Sequence, residues 1–253
     1  MAQTFAIANH KGGVGKTTTA VNLGAGLAAR GYRVLLVDMD AQANLTDTLR
    51  VADTTPNVYD VLKGEAEAVP VEVAPQLHVL PAALDLATAE VELTTAIGRE
   101  RLLSDALQPL LPRYDFVIID TAPTLGLLTI NAMAAADAVI IPLQAEYYAL
   151  KGVRGLLGVI ENVQRRINRG LIIGGVVITQ YDTRTTLHKQ VREAIAQQFG
   201  AAVFDTPVRN AIAIAEAQVK RSDIFTYAPD SAGAEDYAKI VDEFVQRYGK
   251  KAR

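Results

Sequence analysis

The sequence predicts an α/β fold built on a mainly parallel twisted sheet flanked by helices. Three observations carry that expectation. Short β-rich runs alternate with helix-like runs along nearly the whole chain. Several β-rich runs are continuously apolar, as at 34–37, 117–119 and 139–143, which marks strands covered on both faces. Half of the residues are hydrophobic and only 6% aromatic, a balance that suits aliphatic strands buried under helices.

Taken in order, Thr4–Asn9 reads as the first strand and Lys16–Arg30 as the first helix, with Gly31 where a C-terminal glycine ends it. Strands follow at Arg33–Asp38 and Leu77–Leu80, then a helix over Arg99–Leu110 and a strand at Phe116–Asp120. A helix over Leu125–Ala136 precedes a strand at Ala138–Leu143. Next come a helix over Ala149–Asn168, a strand at Leu171–Thr179 and a helix over Thr186–Phe199. A weaker strand lies around Ala202–Thr206, and Gly233–Tyr248 is the closing helix. Repeated strand–helix–strand order implies right-handed crossovers and hence parallel neighbours. No repeat, linker or low-complexity segment interrupts the pattern, so residues 1–253 are expected to form a single domain.

Composition narrows the chemistry. There are no cysteines, which excludes disulfides and thiolate-held metal clusters. No signal-like segment opens the chain, and no run approaches the ~20 apolar residues that span a bilayer. The expected setting is cytoplasmic. Residues 1–150 hold 9 Lys+Arg against 17 Asp+Glu, whereas residues 151–253 hold 16 against 11. The basic second half is either a polyanion surface or a set of solvated helix faces.

The run Lys11-Gly12-Gly13-Val14-Gly15-Lys16-Thr17-Thr18 follows an apolar strand and opens an amphipathic helix. That is the context of a phosphate loop. Glycines let backbone N–H groups crowd around a β-phosphate, and the helix N-terminus adds its dipole. Lys16 is then expected to bridge the β- and γ-phosphates and the Thr17 hydroxyl to bind Mg²⁺. A plain glycine-rich turn does not explain Lys-Thr at this spot, so the fold is expected to be of P-loop NTPase type. Three carboxylates accompany the loop. Asp38-Met39-Asp40 ends the second strand at the sheet's carboxyl edge, although Asp-x-Asp there is also a common turn. Asp120 ends the buried strand that begins at Phe116.

The loop departs from the usual pattern, with His10 in the place of a glycine and an extra lysine at Lys11. His10 reads as a polar strand-end residue without chemistry. The lysine at this place resembles the deviant loop of the ParA/MinD class of ATPases. That resemblance implies ATP and Mg²⁺ as cofactors and an ATP-dependent homodimer, with Lys11 crossing to the partner's phosphates; the bland alternative is a solvated loop lysine. It implies that Asp40 orients the attacking water, that Asp120 is the Walker B acid and that Asp38 lies near the metal shell. It also implies that residues 124–132 sense the γ-phosphate.

Beyond the loop, Pro142–Gly152, Tyr181–Thr185, Glu216-Ala217 and Tyr227–Ala234 resemble the Soj-like ParA proteins of chromosome and plasmid partition. The form resembled is the short one, with no DNA-binding extension before the first strand. The implied function is a DNA-partition ATPase that binds double-stranded DNA nonspecifically as a dimer and is released when a ParB-like centromere-binding protein stimulates hydrolysis. The expected localisation is therefore nucleoid-associated. Arg184 matches a DNA-contact position, and Lys189, Arg192, Lys220 and Arg221 are further candidates from charge and region. Pro207 and Arg209 are expected on the nucleotide side. Ala213 stands where the resemblance asks for a second arginine, which removes one implied DNA contact. Two rivals remain. One is a cargo-positioning ParA-like ATPase. The other is a MinD-like membrane-associated division regulator, for which the stripe Ile240, Val241, Phe244, Val245 and Tyr248 with the basic tail 249–253 is the relevant feature. A helix packed on the sheet explains the same stripe, so no stable membrane association is expected.

Overall fold

The computed structural model of the chain describes residues 2–52, 56–146 and 149–249. At its centre β1 (Gln3–Ile7) pairs in parallel with β5 (Phe116–Thr121) on one side and β6 (Ala138–Gln144) on the other. Outward from β5 come β2 (Val34–Met39), β4 (Leu77–Leu80) and an antiparallel edge strand, β3 (Val71–Ala74). β7 (Ile172–Thr179) forms the other edge, which completes a seven-stranded sheet of order β3-β4-β2-β5-β1-β6-β7. The fold is the expected α/β architecture.

Alternation along each buried strand divides its side chains between two cores. From β2, Leu35, Val37 and Met39 face one core while Val34 and Leu36 face the other. The first core is covered by α3 (Val58–Lys63), α4 (Leu86–Glu92), α5 (Leu102–Leu107), α6 (Leu127–Ala135), α7 (Ala149–Arg166) and α8 (Thr186–Phe199). The second is covered by α1 (Lys16–Ala29), α9 (Ile212–Val219), α10 (Ile224–Tyr227) and α11 (Ala232–Tyr248). A short α2 (Asn44–Thr48) follows β2. Helix α1 lies close to its neighbours because it carries glycines at the contacts. A Cβ on Gly24 would come within 2.6 Å of Leu36, and one on Gly26 within 2.6 Å of Val241.

The α11 stripe faces inward. Ile240, Val241 and Phe244 are buried, and the Phe244 ring centroid lies 4.7 Å from Phe5 and 5.4 Å from Phe116. The packed-helix reading of that stripe is the one the structure supports; residues 250–253 of the basic tail lie outside the described residues. Among the described residues no helix is long and apolar enough to cross a membrane.

Two expected elements are corrected. The helix over Arg99–Leu110 contracts to α5, because Gly98 takes φ 69° in a turn, Arg101 is not helical, and Pro109 can neither donate to the ladder nor avoid the preceding turn. The weak strand at Ala202–Thr206 reduces to a single parallel bridge between Val203 and Val176. There the Phe204 amide donates to the Val176 carbonyl at 2.9 Å, and its ring covers Gly175, where a Cβ would collide with it. The structure adds β3, joined to β4 through Gln76 at φ 66°, and the short helices α2, α3, α4, α9 and α10.

Candidate active site

Residues 8–15 turn over the carboxyl edge of the sheet between β1 and α1. The turn requires positive φ at Gly13 (70°) and Gly15 (88°), where a side chain would cost roughly 1–2 kcal/mol. Side chains from the ends of β6 and β7 hold it from outside. Gln144 and Gln180 donate their amides to the Gly13 carbonyl at 3.2 and 2.7 Å, and the Thr179 hydroxyl donates to the Val14 carbonyl at 2.8 Å.

Register brings the acids together. Parallel pairing of β2 with β5 sets Asp38 beside Asp120, and pairing of β5 with β1 sets Asp120 beside Ile7, at the root of the loop. Both carboxylates are fully buried. Burial raises the Asp38 pKa to about 6, against the pull of its hydrogen bonds. Those bonds come from the Thr46 amide (3.0 Å) and hydroxyl (2.7 Å) and the Asp40 amide (3.1 Å), so Asp38 anchors α2 to the end of β2. Asp120 differs. Neither of its oxygens has a hydrogen-bond partner of normal geometry. Burial first, and Asp38 second, push its pKa well above the usual carboxylate range; Thr17 and Lys16 oppose the rise. Lys16 is itself buried, its ammonium 3.3 Å from the Lys11 carbonyl, and desolvation lowers its pKa against the attraction of Asp120 and Asp40.

Above this layer opens a cleft of about 740 Å³, within the size range of small-ligand sites. Gly12, Gly13, Gly15, Lys16, Thr17 and Thr18 form its floor, and Asp40 projects into it while accepting from the Gln42 amide at 3.0 Å. Val14 is buried behind the loop. The wall across from the loop belongs to Val208, Arg209 and α9, whose Gln218 donates to the Thr18 hydroxyl at 2.7 Å. Arg209 reaches this wall, yet its guanidinium binds Asp236 (3.0 and 2.9 Å) and Glu235 (2.6 Å) and so clamps α11. Pro207 is one residue outside the lining. Lys11 turns away, with its ammonium 2.5 Å from Gln144 Oε1 and 2.6 Å from Glu146 Oε2.

The basic candidates divide into two places. Arg184 precedes α8, where it is bidentate with Asp182 (2.9 and 3.0 Å) and holds that carboxyl down at a pKa of about 2. Lys189 and Arg192 lie on α8; Lys189 is exposed, while Arg192 donates to the Asp205 carbonyl at 2.9 Å. Lys220 and Arg221 follow α9, and Arg221 is ion-paired with Asp47. Tyr147 and Tyr148 of the partition-like segment lie outside the described residues.

Sequence reasoning missed Gln144, Thr179, Gln180 and Gln218. Only Gln144 falls in a singled-out motif, the partition-like run 142–152, and nothing there marks it as a contact of the loop. The usable signal was positional, since the residues that end β6 and β7 must face the loop that follows β1 at the same sheet edge.

Magnesium fits this arrangement. Among the described residues no three metal-ligating side chains cluster, so a metal here depends on nucleotide oxygens for most of its shell. The unpartnered Asp120 carboxylate beside Thr17 and Lys16 offers what such an ion needs from the protein.

Fold and loop together define the class of P-loop ATPases. Residues 2–173 match the AAA domain family. The sporulation initiation inhibitor protein Soj of Bacillus subtilis (strain 168) is 46% identical over 248 residues, covering 96% of this chain and 98% of Soj. The chromosome partitioning protein ParA of Caulobacter vibrioides (strain NA1000 / CB15N) is 43% identical over 252 residues, 97% of this chain and 94% of ParA. A solved structure of cobyrinic acid a,c-diamide synthase from Mycobacterium smegmatis, with bound ADP and magnesium, superposes with a TM-score of 0.85 at 38% identity, covering 99% of this chain and 98% of that one. The chain belongs to the ParA/Soj family of partition ATPases.

Proposed function

We propose that residues 1–253 act as one ATPase domain that binds ATP and Mg²⁺ in the cleft above the loop, dimerises on ATP and binds DNA nonspecifically. In this reading a ParB-like partner stimulates hydrolysis and so releases the protein from the nucleoid, where it segregates a chromosome or plasmid in the cytoplasm. Relatives at 43% and 46% identity named for partition or Soj carry more weight than the synthase at 38%.

The observation that carries the nucleotide chemistry is the buried, unpartnered Asp120 under Lys16 and Thr17. Loop amides and Lys16 hold the phosphates, while Thr17 and Asp120 hold the metal, with Asp38 behind them fixing α2. When bound, Mg²⁺ neutralises charge on the β- and γ-phosphate oxygens. Asp40 orients the water for in-line attack, since it lines the cleft and its carboxylate keeps acceptor capacity beyond the single Gln42 amide. Lys11 serves in trans, which requires it to leave Gln144 and Glu146.

The test is DNA binding with ATP, ADP and no nucleotide over a salt series, beside sedimentation with anionic vesicles. Binding confined to the ATP state and weakening with salt is the expected result. Sedimentation with vesicles in place of DNA would transfer the function to a membrane regulator.

A further inference from the structure

Gln180 is the first residue after β7, and its backbone adopts φ 51°, a left-handed conformation that a side chain normally avoids. The flanking backbone imposes it. The Tyr181 amide donates to the Val208 carbonyl at 2.9 Å and the Val208 amide to the Ile178 carbonyl at 2.7 Å, so the chain is pinned on both sides of residue 180. Glycine would meet that requirement without strain. Instead the position carries a long amide that lines the nucleotide cleft and donates to the Gly13 carbonyl at 2.7 Å.

That bond has a directional consequence. In a trans peptide the carbonyl of one residue and the N–H of the next point to opposite sides. Drawing the Gly13 carbonyl outward, onto Gln180 and Gln144, turns the Val14 N–H away from β7. Drawing the Val14 carbonyl onto Thr179 does the same for the Gly15 N–H. Among the described residues neither amide donates to a protein acceptor. These are the donors that a loop of this kind offers to a β-phosphate.

We infer that Gln180 is a positioning residue for nucleotide binding: its side-chain amide fixes the Gly13–Val14 peptide so that the Val14 N–H is aimed at the β-phosphate before nucleotide arrives. The inference rests on residues 11–18 being the phosphate site. It assigns a residue that touches the loop and not the reacting atoms, so its effect falls on binding of any nucleotide that has a β-phosphate. The effect is read on affinity, since the β-phosphate also belongs to the leaving group and its contacts bear on kcat as well.

The test uses the full chain with Gln180→Met, which keeps length and removes the donor, and Gln180→Gly, which removes the donor and relieves the backbone. Affinities for ATP, ADP and AMP are measured by calorimetry, beside steady-state hydrolysis. Loss of one hydrogen bond predicts roughly three- to tenfold weaker ATP and ADP binding in both variants, with AMP unchanged. Wild-type ADP affinity in Gln180→Gly would overturn the role, as would an equal loss for AMP. Gln180→Gly remains informative if the methionine variant fails to fold. Lys16→Ala separates the two levels. If it keeps ATP affinity, the loop is not the phosphate site and the inference falls with it. If it loses affinity while the Gln180 variants bind normally, only the Gln180 role is removed.

Discussion

Three carboxylates stand at one edge of the sheet, and their surroundings divide the work between them. Asp38 is occupied by Thr46 and the Asp40 amide, Asp120 is buried with no hydrogen bond of normal geometry, and Asp40 reaches the cleft. Removing the third should therefore spare binding and impair chemistry. Asp40→Ala is expected to bind ATP close to normally and hydrolyse it on the order of a hundredfold or more slowly, the usual range for a positioned proton-accepting group. Phosphate release alongside a binding titration checks this, and normal turnover would reduce Asp40 to a turn residue. At this scale the phosphate loop was legible, because glycines and Lys-Thr at fixed spacing encode a local backbone shape. The strand-end acids were legible as positions, and the resemblance gave Asp120 the Walker B role and Asp38 a place near the metal shell. The bonds that tie Asp38 to α2 were not legible. They depend on Thr46 folding back onto β2, a contact between residues eight apart through a short helix that no pattern announced. Gln180 was invisible for the same reason, since its partner Gly13 is 167 residues away.

Elements were readable in proportion to their length and burial. The long amphipathic helices and the continuous apolar strands appear where their patterns put them, with ends shifted by a residue or two, as at β1 and β2. Short helices such as α2 and α10 contain too few residues to show a period. Helix α3 did carry local signals: Asn57 and Asp60 form a capping box and Gly64 closes it at φ 74°. β3 carried a weaker one, alternating half-buried and exposed positions on an edge. Helix α11 is where an element-level reading decides function. Its apolar stripe forms the wall of the second core, with Phe244 in ring contact with Phe5, Phe116 and Tyr248. Phe244→Ala should therefore destabilise the fold by about 3–5 kcal/mol, read as a lower denaturant midpoint at constant slope. A stable variant with altered vesicle binding would mean that the stripe faces a lipid surface.

For the whole molecule the questions are pairing and DNA. Lys11 rests on Glu146 in an ion pair whose side chains are 47% and 55% exposed, the kind of pair worth about 0–1 kcal/mol. That is too little to hold the lysine against a partner's phosphates. Lys11→Ala should thus leave ATP binding by the single subunit mostly intact and weaken the ATP-dependent dimer, seen by light scattering in the Asp40→Ala background; an undiminished dimer would remove the trans role. The DNA surface can be ranked the same way. Arg184 and Arg221 are paired with Asp182 and Asp47, and Arg192 is held by the Asp205 carbonyl. Lys189 and Lys220 are exposed and carry no such side-chain bond among the described residues. The two lysines can therefore meet phosphates without giving up a partner, whereas each arginine must first leave one. Exposed pairs are weak, so the arginines are not excluded from the surface, but they should contribute less per residue. Charge reversal at Lys189 and at Lys220 is expected to weaken DNA binding most, at unchanged ATP affinity. Each lost phosphate contact should flatten the log–log salt slope by about 0.9, and the dimer doubles that for every substitution. Opening the Asp47 pair with Asp47→Asn should act in the opposite direction by freeing Arg221. Fluorescence anisotropy on a nonspecific duplex at several salt concentrations reads all three variants. Salt slopes equal to that of the unmodified protein would make the basic second half of the chain a solvated face.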